Sequence, residues 1–317
     1  MAAEPGPGLE LVAPAKLNLA LEVLGRRDDG YHEVDTVLTT IDLADRVLIR
    51  SRPEGSGLSV SLEGPHAAGI PAGSDLAAAA ARALAEASGR APDLDLHVEK
   101  RIPQPAGLGG ASSDAAAVLR GLDELWDLGW PRERLSAIGA GLGSDVPFFL
   151  AGGAARATGR GELIEPLPDL RPLSLLVLVP PVPAPPGKTA RRYGQLTKRD
   201  YTDGARSRRL AHRLARRAPP PSGDLVNAFE EPLERSEPEL VAHYAAYREA
   251  GAPTLHLCGS GPAVYLLVSE RAKRSELQEA FRARGALVLP ARTLGRAASL
   301  ASRPLSQPAP DAGTGGS

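Results

Sequence analysis

From Ala15 to Val23 the chain alternates strictly. Ala15, Leu17, Leu19, Leu21 and Val23 point one way, and Lys16, Asn18, Ala20 and Glu22 the other. A period of two predicts a half-buried strand. Asp29-Gly30 then signals a turn, and further strands are expected near 33–41, 46–51 and 57–63. Residues 74–89 read as a helix, with Ser74 as candidate N-cap and Gly89 as its stop. Leu94 to Lys100 alternates again, and beyond a glycine-rich stretch Ala115, Val118, Leu119, Leu122, Leu125 and Trp126 recur at helical spacing. Another helix is expected at about 132–142, ended by Gly143-Ser144-Asp145-Val146-Pro147, with short strands continuing to about 166.

The second half opens on a strand, Leu173 to Val179, followed by a proline-rich turn and a helix from Lys188 to Leu196. Helices at about 224–235 and 238–250 precede two paired strands, Thr254 to Cys258 and Ala263 to Val268, around Gly259-Ser260-Gly261. A helix at 272–284 and a strand at 286–293 complete the pattern, and residues 1–8 and 301–317 read as disordered. Strands with interposed helices in both halves predict an α+β protein of two lobes, 9–165 and 166–300.

At 317 residues, 43% of them apolar, the chain can bury a substantial core, and with aromatics at only 4% that core is mainly Leu, Val and Ala. A formal net charge of −1 argues against a chain-wide affinity for nucleic acid or acidic membrane. The arginines of 202–223 (Arg206, Arg208, Arg209, Arg213, Arg216 and Arg217) lack interleaved aromatics and read as a solvated basic helix beside a loop. A single cysteine, Cys258, fits a reducing compartment. No signal peptide or membrane span is visible, so a cytoplasmic protein is expected. No cluster has zinc spacing, and no tightly held metal is expected.

The chemistry concentrates in Ile102-Pro103-Gln104-Pro105-Ala106-Gly107-Leu108-Gly109-Gly110-Ala111-Ser112-Ser113-Asp114. A strand, a glycine turn and a helix start together make an anion site, because glycines let backbone approach the ligand and the first helical N–H groups point at it. Polyphosphate is the expected anion. Two other nucleotide signatures fail. Gly187-Lys188-Thr189 suggests a P-loop, but Val182 stands where its first glycine belongs, and Pro180, Pro181, Pro183, Pro185 and Pro186 remove amide donors. Gly107-Leu108-Gly109 opens a dinucleotide fingerprint whose third glycine position is Ser112, and no acid follows at the end of a next strand.

Four features in order, Pro14-Ala15-Lys16-Leu17-Asn18, the glycine-serine loop, Leu142-Gly143-Ser144-Asp145-Val146-Pro147 and Cys258-Gly259-Ser260-Gly261-Pro262, resemble the GHMP kinases. Within that superfamily, Gly25-Arg26-Arg27-Asp28-Asp29-Gly30-Tyr31-His32 is similar to the kinases of 4-diphosphocytidyl-2-C-methyl-D-erythritol. The resemblance spans roughly 11–295 and is weakest through 185–250. It implies the two-lobed GHMP kinase fold, with an N-terminal lobe like domain 2 of ribosomal protein S5, a C-terminal ferredoxin-like lobe, and the active site between them. It implies transfer of the γ-phosphate of ATP, with Mg²⁺, to the 2-hydroxyl of that cytidine-linked polyol. The implied partner is this small molecule alone, with neither nucleic acid nor membrane, and monomer and homodimer are both left open.

The same resemblance implies site residues. Lys16 and Asp145 form the catalytic pair: the carboxylate orients the alcohol and takes its proton, and the amine keeps the carboxylate ionised and offsets charge on the transferring phosphoryl. A carboxylate of ordinary pKa, about 4, suffices because a loose transition state asks little of the nucleophile. Residues Pro103 to Ser113 hold the triphosphate. Gln104-Pro105 and Ala111 depart from the usual pattern, so a stiffer approach and donation by the later amides are expected, with Asp114 turned away from the phosphates. Asn18, Tyr31 and His32 belong to the acceptor site, with Tyr31 stacking on cytosine and His32 bonding its polar edge. Thr189 is a polar contact, Tyr193 closes the stack from the second lobe, and Gly259, Ser260 and Gly261 bring amides to the acceptor. Cys258 reads as core. The rival readings are another GHMP small-molecule kinase, of homoserine or mevalonate type, and a nucleotide-binding regulator without catalysis.

Overall fold

The computed structural model describes residues 6–70, 75–183, 187–252 and 254–305. Its frame is one long hairpin. β1 (Gly8–Arg26) and β2 (His32–Ser51) run antiparallel along nearly their whole length, with irregularities at Pro14/Lys16, Asn18/Ala20 and Val23/Gly25. Gly8, expected in a disordered start, already belongs to β1, and residues 1–5 lie outside the described residues. β1 is also buried on both faces, Lys16, Asn18 and Glu22 included. Alternation marked it as half-exposed, but its polar side is covered by other parts of the chain.

β3 (Leu58–Glu63) lies parallel to β4 (Leu94–Glu99), and β4 pairs with the end of β2. Between them, α1 (Leu76–Ser88) is capped by Asp75, whose carboxylate accepts the Ala78 N–H at 2.7 Å. The expected cap, Ser74, lies outside the described residues. Gly89 closes the helix in the left-handed region. α2 (Gly110–Leu125) presses on the sheet at Gly121, where a Cβ would stand 2.8 Å from the side chains of Leu11 and Ile49. α3 (Arg132–Leu142) leads to α4 (Val146–Ala151), a helix the pattern missed because all six residues are buried and no polar face marks a period. β5 (Ala154–Thr158) and β6 (Leu163–Pro166) form a hairpin against β2.

β7 (Ser174–Val179) starts the second half. After it come α5 (Lys188–Gly194), α6 (Ala205–Ala215), β8 (Val226–Asn227), α7 (Glu230–Ser236) and α8 (Pro238–Glu249). The helix expected from 224 begins only at Glu230, because 226–227 pair parallel to β1 instead. β9 (His256–Leu257), β10 (Val264–Leu267), α9 (Arg271–Arg282), β11 (Leu287–Leu294), α10 (Arg296–Ser299) and β12 (Ser302–Pro304) follow. β7 lies between β10 and β11, and the end of β11 pairs with β2 at Ile41 and Thr40. One sheet thus runs through both halves. β2 was expected as two strands, since Asp42, Asp45 and Arg46 interrupt its apolar run. It is continuous because its second edge meets β5, β11 and β4 in succession. Residues 302–304, expected in the disordered tail, pair with β1, where Arg303 reaches Glu10 at 2.9 Å. Residues from 306 lie outside the described residues.

A buried ion cluster fixes the chain just before the glycine loop. The Lys100 ammonium bonds to both Asp45 of β2 and Asp114 of α2, and all three are buried. Asp45 also accepts the N–H groups of Arg101 at 2.5 Å and Ile102 at 2.7 Å. Burial alone would lower Lys100, but the two carboxylates outweigh it and carry it above the ordinary lysine value. Burial pushes Asp114 well above the usual carboxylate range; Lys100 pulls the other way and Asp45 adds to the rise. Asp114 is therefore turned into the protein. Replacing Lys100 with Met leaves two buried carboxylates without a cation and is expected to cost about 3–5 kcal/mol. Urea unfolding measures this, and a loss below about 1 kcal/mol would contradict the role given to the cluster.

Candidate active site

Three segments meet around the amine of Lys16. The first is β1 itself, where Lys16 donates its N–H to the Leu108 carbonyl at 2.9 Å and so stitches the strand to the glycine loop. The second is the loop, with Gly107 and Gly109 at φ +88° and +76°. A Cβ on Gly107 would overlap the Cys258 carbonyl, and one on Gly109 would stand 3.1 Å from Lys16 Cγ. The third is the 259–261 turn: a Cβ on Gly259 would stand 3.0 Å from Lys16 Nζ. The Ala263 N–H reaches the Ala106 carbonyl at 3.2 Å, which ties the two turns together. Only backbone without side chains lets the turns approach the amine this closely.

Lys16 Nζ donates to Asn18 Oδ1 at 2.7 Å and stands 3.7 Å from Asp145 Oδ2. Asn18 is oriented by its own bond to Thr36 Oγ1 at 2.8 Å, and that hydroxyl donates to the Ala20 carbonyl at 2.6 Å. The amide oxygen of Asn18 is thereby aimed at the lysine. Asp145 stands just before α4, and its side chain is 39% exposed against 6% for Lys16. An open carboxylate beside a sealed amine is a geometry in which a hydroxyl in the cleft can meet the acid while the cation backs it.

The N–H groups of residues 107–112 donate to no acceptor among the described residues. Left-handed Gly109 opens α2 without a side-chain cap, so the first helical amides stay available to an anion. Pro103 to Ser112 line a cleft of about 1100 Å³, together with Lys16, Asn18 and Asp145. Ser113 does not line it; its hydroxyl is buried without a partner. Ser112 and Ser113 were expected at the loop–helix junction, but the helix begins at Gly110 and Ser113 turns inward.

The far end of the cleft is aromatic. Tyr31 is 52% exposed, its N–H held by Asp29 Oδ1 at 3.0 Å, and the Arg160 guanidinium lies 4.7 Å from its ring centre. His32 is buried and packs 5.1 Å from Tyr193 and 6.1 Å from Tyr201. Burial, and secondarily Arg26, holds its pKa below the ordinary imidazole value, so it is neutral at pH 7. Tyr193 meets Phe229 edge-on at 4.8 Å. Among the described residues Tyr31 stacks with no other ring, and Tyr193 packs on His32. Thr189 Oγ1 lies 3.2 Å from Ser260 Oγ, and both residues line the cleft with Gly259; Gly261 does not. Burial pushes the Cys258 thiol up to about 12, so it carries no thiolate at neutral pH.

Thr36, Arg160, Lys188, Tyr201 and Phe229 also line the cleft. Lys188 had a visible signal, the rejected P-loop fragment. Thr36 had one in the β1–β2 pairing once the hairpin is assumed. Tyr201 and Phe229 had none, since only the fold brings them to His32 and Tyr193.

Residues 75–153 match the family model described as GHMP kinases N terminal domain. A 4-diphosphocytidyl-2-C-methyl-D-erythritol kinase of Dehalococcoides mccartyi (strain ATCC BAA-2266 / KCTC 15142 / 195) is 40% identical over 263 residues, 83% of this chain and 90% of that one. The enzyme of that name from Geobacillus kaustophilus (strain HTA426) is 36% identical over 294 residues, covering 92% and 99%. A crystal structure of 4-(cytidine 5'-diphospho)-2C-methyl-D-erythritol kinase superimposes with a TM-score of 0.73 at 35% identity, over 90% of this chain and 100% of that one. A homoserine kinase from Cytophaga hutchinsonii shares the fold with a TM-score of 0.68 at 15% identity, over 94% and 97% of the two chains. The fold is that of the GHMP kinases, and at 36–40% identity over most of its length the chain belongs to the family of 4-diphosphocytidyl-2-C-methyl-D-erythritol kinases.

Proposed function

We propose that this chain transfers the γ-phosphoryl group of ATP to the 2-hydroxyl of 4-diphosphocytidyl-2-C-methyl-D-erythritol, a step of the non-mevalonate route to isopentenyl diphosphate. The observation behind this reading is the Lys16 amine, held between Asn18 and Asp145 where the glycine loop and the 259–261 turn converge. The triphosphate lies along the free amides of 107–112, with its terminal phosphoryl toward Lys16. The alcohol stands against Asp145, which orients it and takes its proton as the bond to phosphorus forms. Lys16 neutralises charge on the transferring group and on the incipient alkoxide. Phosphoryl transfer of this kind depends on positioning and electrostatics rather than on a strong base.

ATP enters as its magnesium complex. Among the described residues no three His, Cys, Asp or Glu side chains are grouped to hold a metal. Mg²⁺ keeps much of its water and binds substrate phosphates through one or two protein oxygens. Ser112 and Asp145, both on the cleft, are the residues that fit this, and the ion supplies charge neutralisation on the phosphates. At the other end Tyr31 offers its free ring face to cytosine and neutral His32 its ring nitrogen. Among the described residues no helix is long and apolar enough to cross a membrane. We assign the enzyme to the cytoplasm, where both nucleotides are available, and assign it no nucleic-acid partner. Within the basic segment, Arg209 bonds to Asp224 at 2.5 Å and Arg208 stands 4.0 Å from Asp35.

Asp145→Asn is expected to lower kcat about 10²–10⁴-fold while leaving ATP binding nearly intact. A coupled assay with the cytidine-linked polyol, set beside equilibrium ATP titration, reads both quantities. Turnover close to wild type would refute the role of Asp145. Tyr31→Ala removes a stacking platform and is expected to raise the acceptor KM about tenfold or more with a smaller change in kcat. A selective collapse of kcat at unchanged KM would count against stacking.

A further inference from the structure

α5 directs two cations at one turn. Arg192 donates to the Ser260 carbonyl and is neutralised by Glu237, with bonds of 2.8 and 2.5 Å. Lys188, one helical turn earlier, donates to the Gly261 carbonyl and is only 4% exposed. That carbonyl is its one hydrogen-bond acceptor among the described residues, and no carboxylate stands within ion-pair distance. An ammonium has three donors, so two remain, on a residue that lines the cleft. The N–H groups of Gly259 and Ser260 likewise have no acceptor among the described residues. The Thr189 and Ser260 hydroxyls complete the same wall.

The titratable groups facing Lys188 are Arg192 on its own helix, Lys16 from β1, Glu237 between α7 and α8, and the neutral Cys258 thiol before the turn. Burial first, then Arg192 and Lys16, lowers Lys188 to about 7. A buried cation short of partners is costly, and an anion bound in the cleft removes that cost. The position selects the anion. α5 carries Tyr193 at the aromatic end of the cleft and Lys188 at the end near Lys16. On the reading given above, the acceptor's diphosphate lies between its cytidine and its alcohol, along the same line.

We propose that Lys188, with the amides of Gly259 and Ser260 and the hydroxyl of Thr189, seats the diphosphate of the acceptor and makes the enzyme select a diphosphate-linked cytidine over an uncharged one. This rests on the assignment of the acceptor. Isothermal calorimetry with cytidine diphosphate and with cytidine tests it, on the wild type and on Lys188→Met, which keeps the length of the stem. The wild type is expected to bind the diphosphate at least about tenfold more tightly than cytidine, and the variant to lose that preference while cytidine affinity stays level. In steady state the variant's acceptor KM rises about tenfold or more and its ATP KM stays within about twofold.

The wild type alone supplies a second readout. Because burial, then Arg192 and Lys16, lower Lys188, calorimetry in buffers of different ionisation enthalpy is expected to show proton uptake on binding cytidine diphosphate and none on binding cytidine. Equal preference for the diphosphate in wild type and variant overturns the role of Lys188. So does a rise confined to the ATP KM, which would give the residue to the phosphoryl donor. A wild type that binds neither cytidine compound overturns the acceptor assignment itself, and the diphosphate seat with it.

Discussion

A lysine ammonium nearly sealed from water has to be surrounded by acceptors, and the architecture around Lys16 follows from that need. Its own strand provides Asn18, and the start of α4 provides Asp145. The glycines of both turns are what admit the amine, since Cβ atoms at 109 and 259 would stand 3.1 and 3.0 Å from the lysine side chain. The burial of β1 on both faces has the same origin. A strand that delivers a cation to an interior cleft must be covered there; the glycine loop and the 259–261 turn close over Lys16, and α6 meets Glu22, which accepts the Ser207 N–H at 2.6 Å.

Joining the halves through a shared sheet makes this convergence rigid. β11 pairs with β7 along most of its length and with β2 at its end. Tyr265 of β10 adds a bond from its hydroxyl to the Asn18 carbonyl at 3.2 Å. Asn227 of β8 donates to the carbonyls of Leu257 at 3.1 Å and Gly259 at 2.8 Å. The turn that faces Lys16 is therefore held from β1's side and from its own side, by hydrogen bonds that the Tyr265 and Asn227 side chains donate to main-chain carbonyls.

Legibility in the sequence tracked how local each signal was. The β1 alternation, the Asp29-Gly30 turn, the glycine loop before α2 and the strands flanking 259–261 could be read because each is written in adjacent residues. The continuity of β2 could not, because its polar interruption at Asp42, Asp45 and Arg46 is resolved by three different partners along one edge. The start at Gly110 rather than at the serines depends on Gly109 adopting a positive φ, which the residue type permits but does not require. The aromatic wall mixes both cases: Tyr31 and His32 came with a motif, whereas Tyr201 and Phe229 reach His32 and Tyr193 only through the path of the second half.

Asp114 shows how a charge beside a phosphate loop can be made harmless and even useful. On the first turns of α2, next to amides that must attract a polyanion, a carboxylate facing the cleft would repel the ligand. It faces inward instead, onto Lys100, which also holds Asp45, and Asp45 binds the amides of Arg101 and Ile102. The residue that would oppose binding becomes one end of a brace running from β2 through the approach to the loop into the helix. The amides from 107 to 112 donate to no acceptor among the described residues, and the brace behind them keeps the backbone from turning inward to satisfy them.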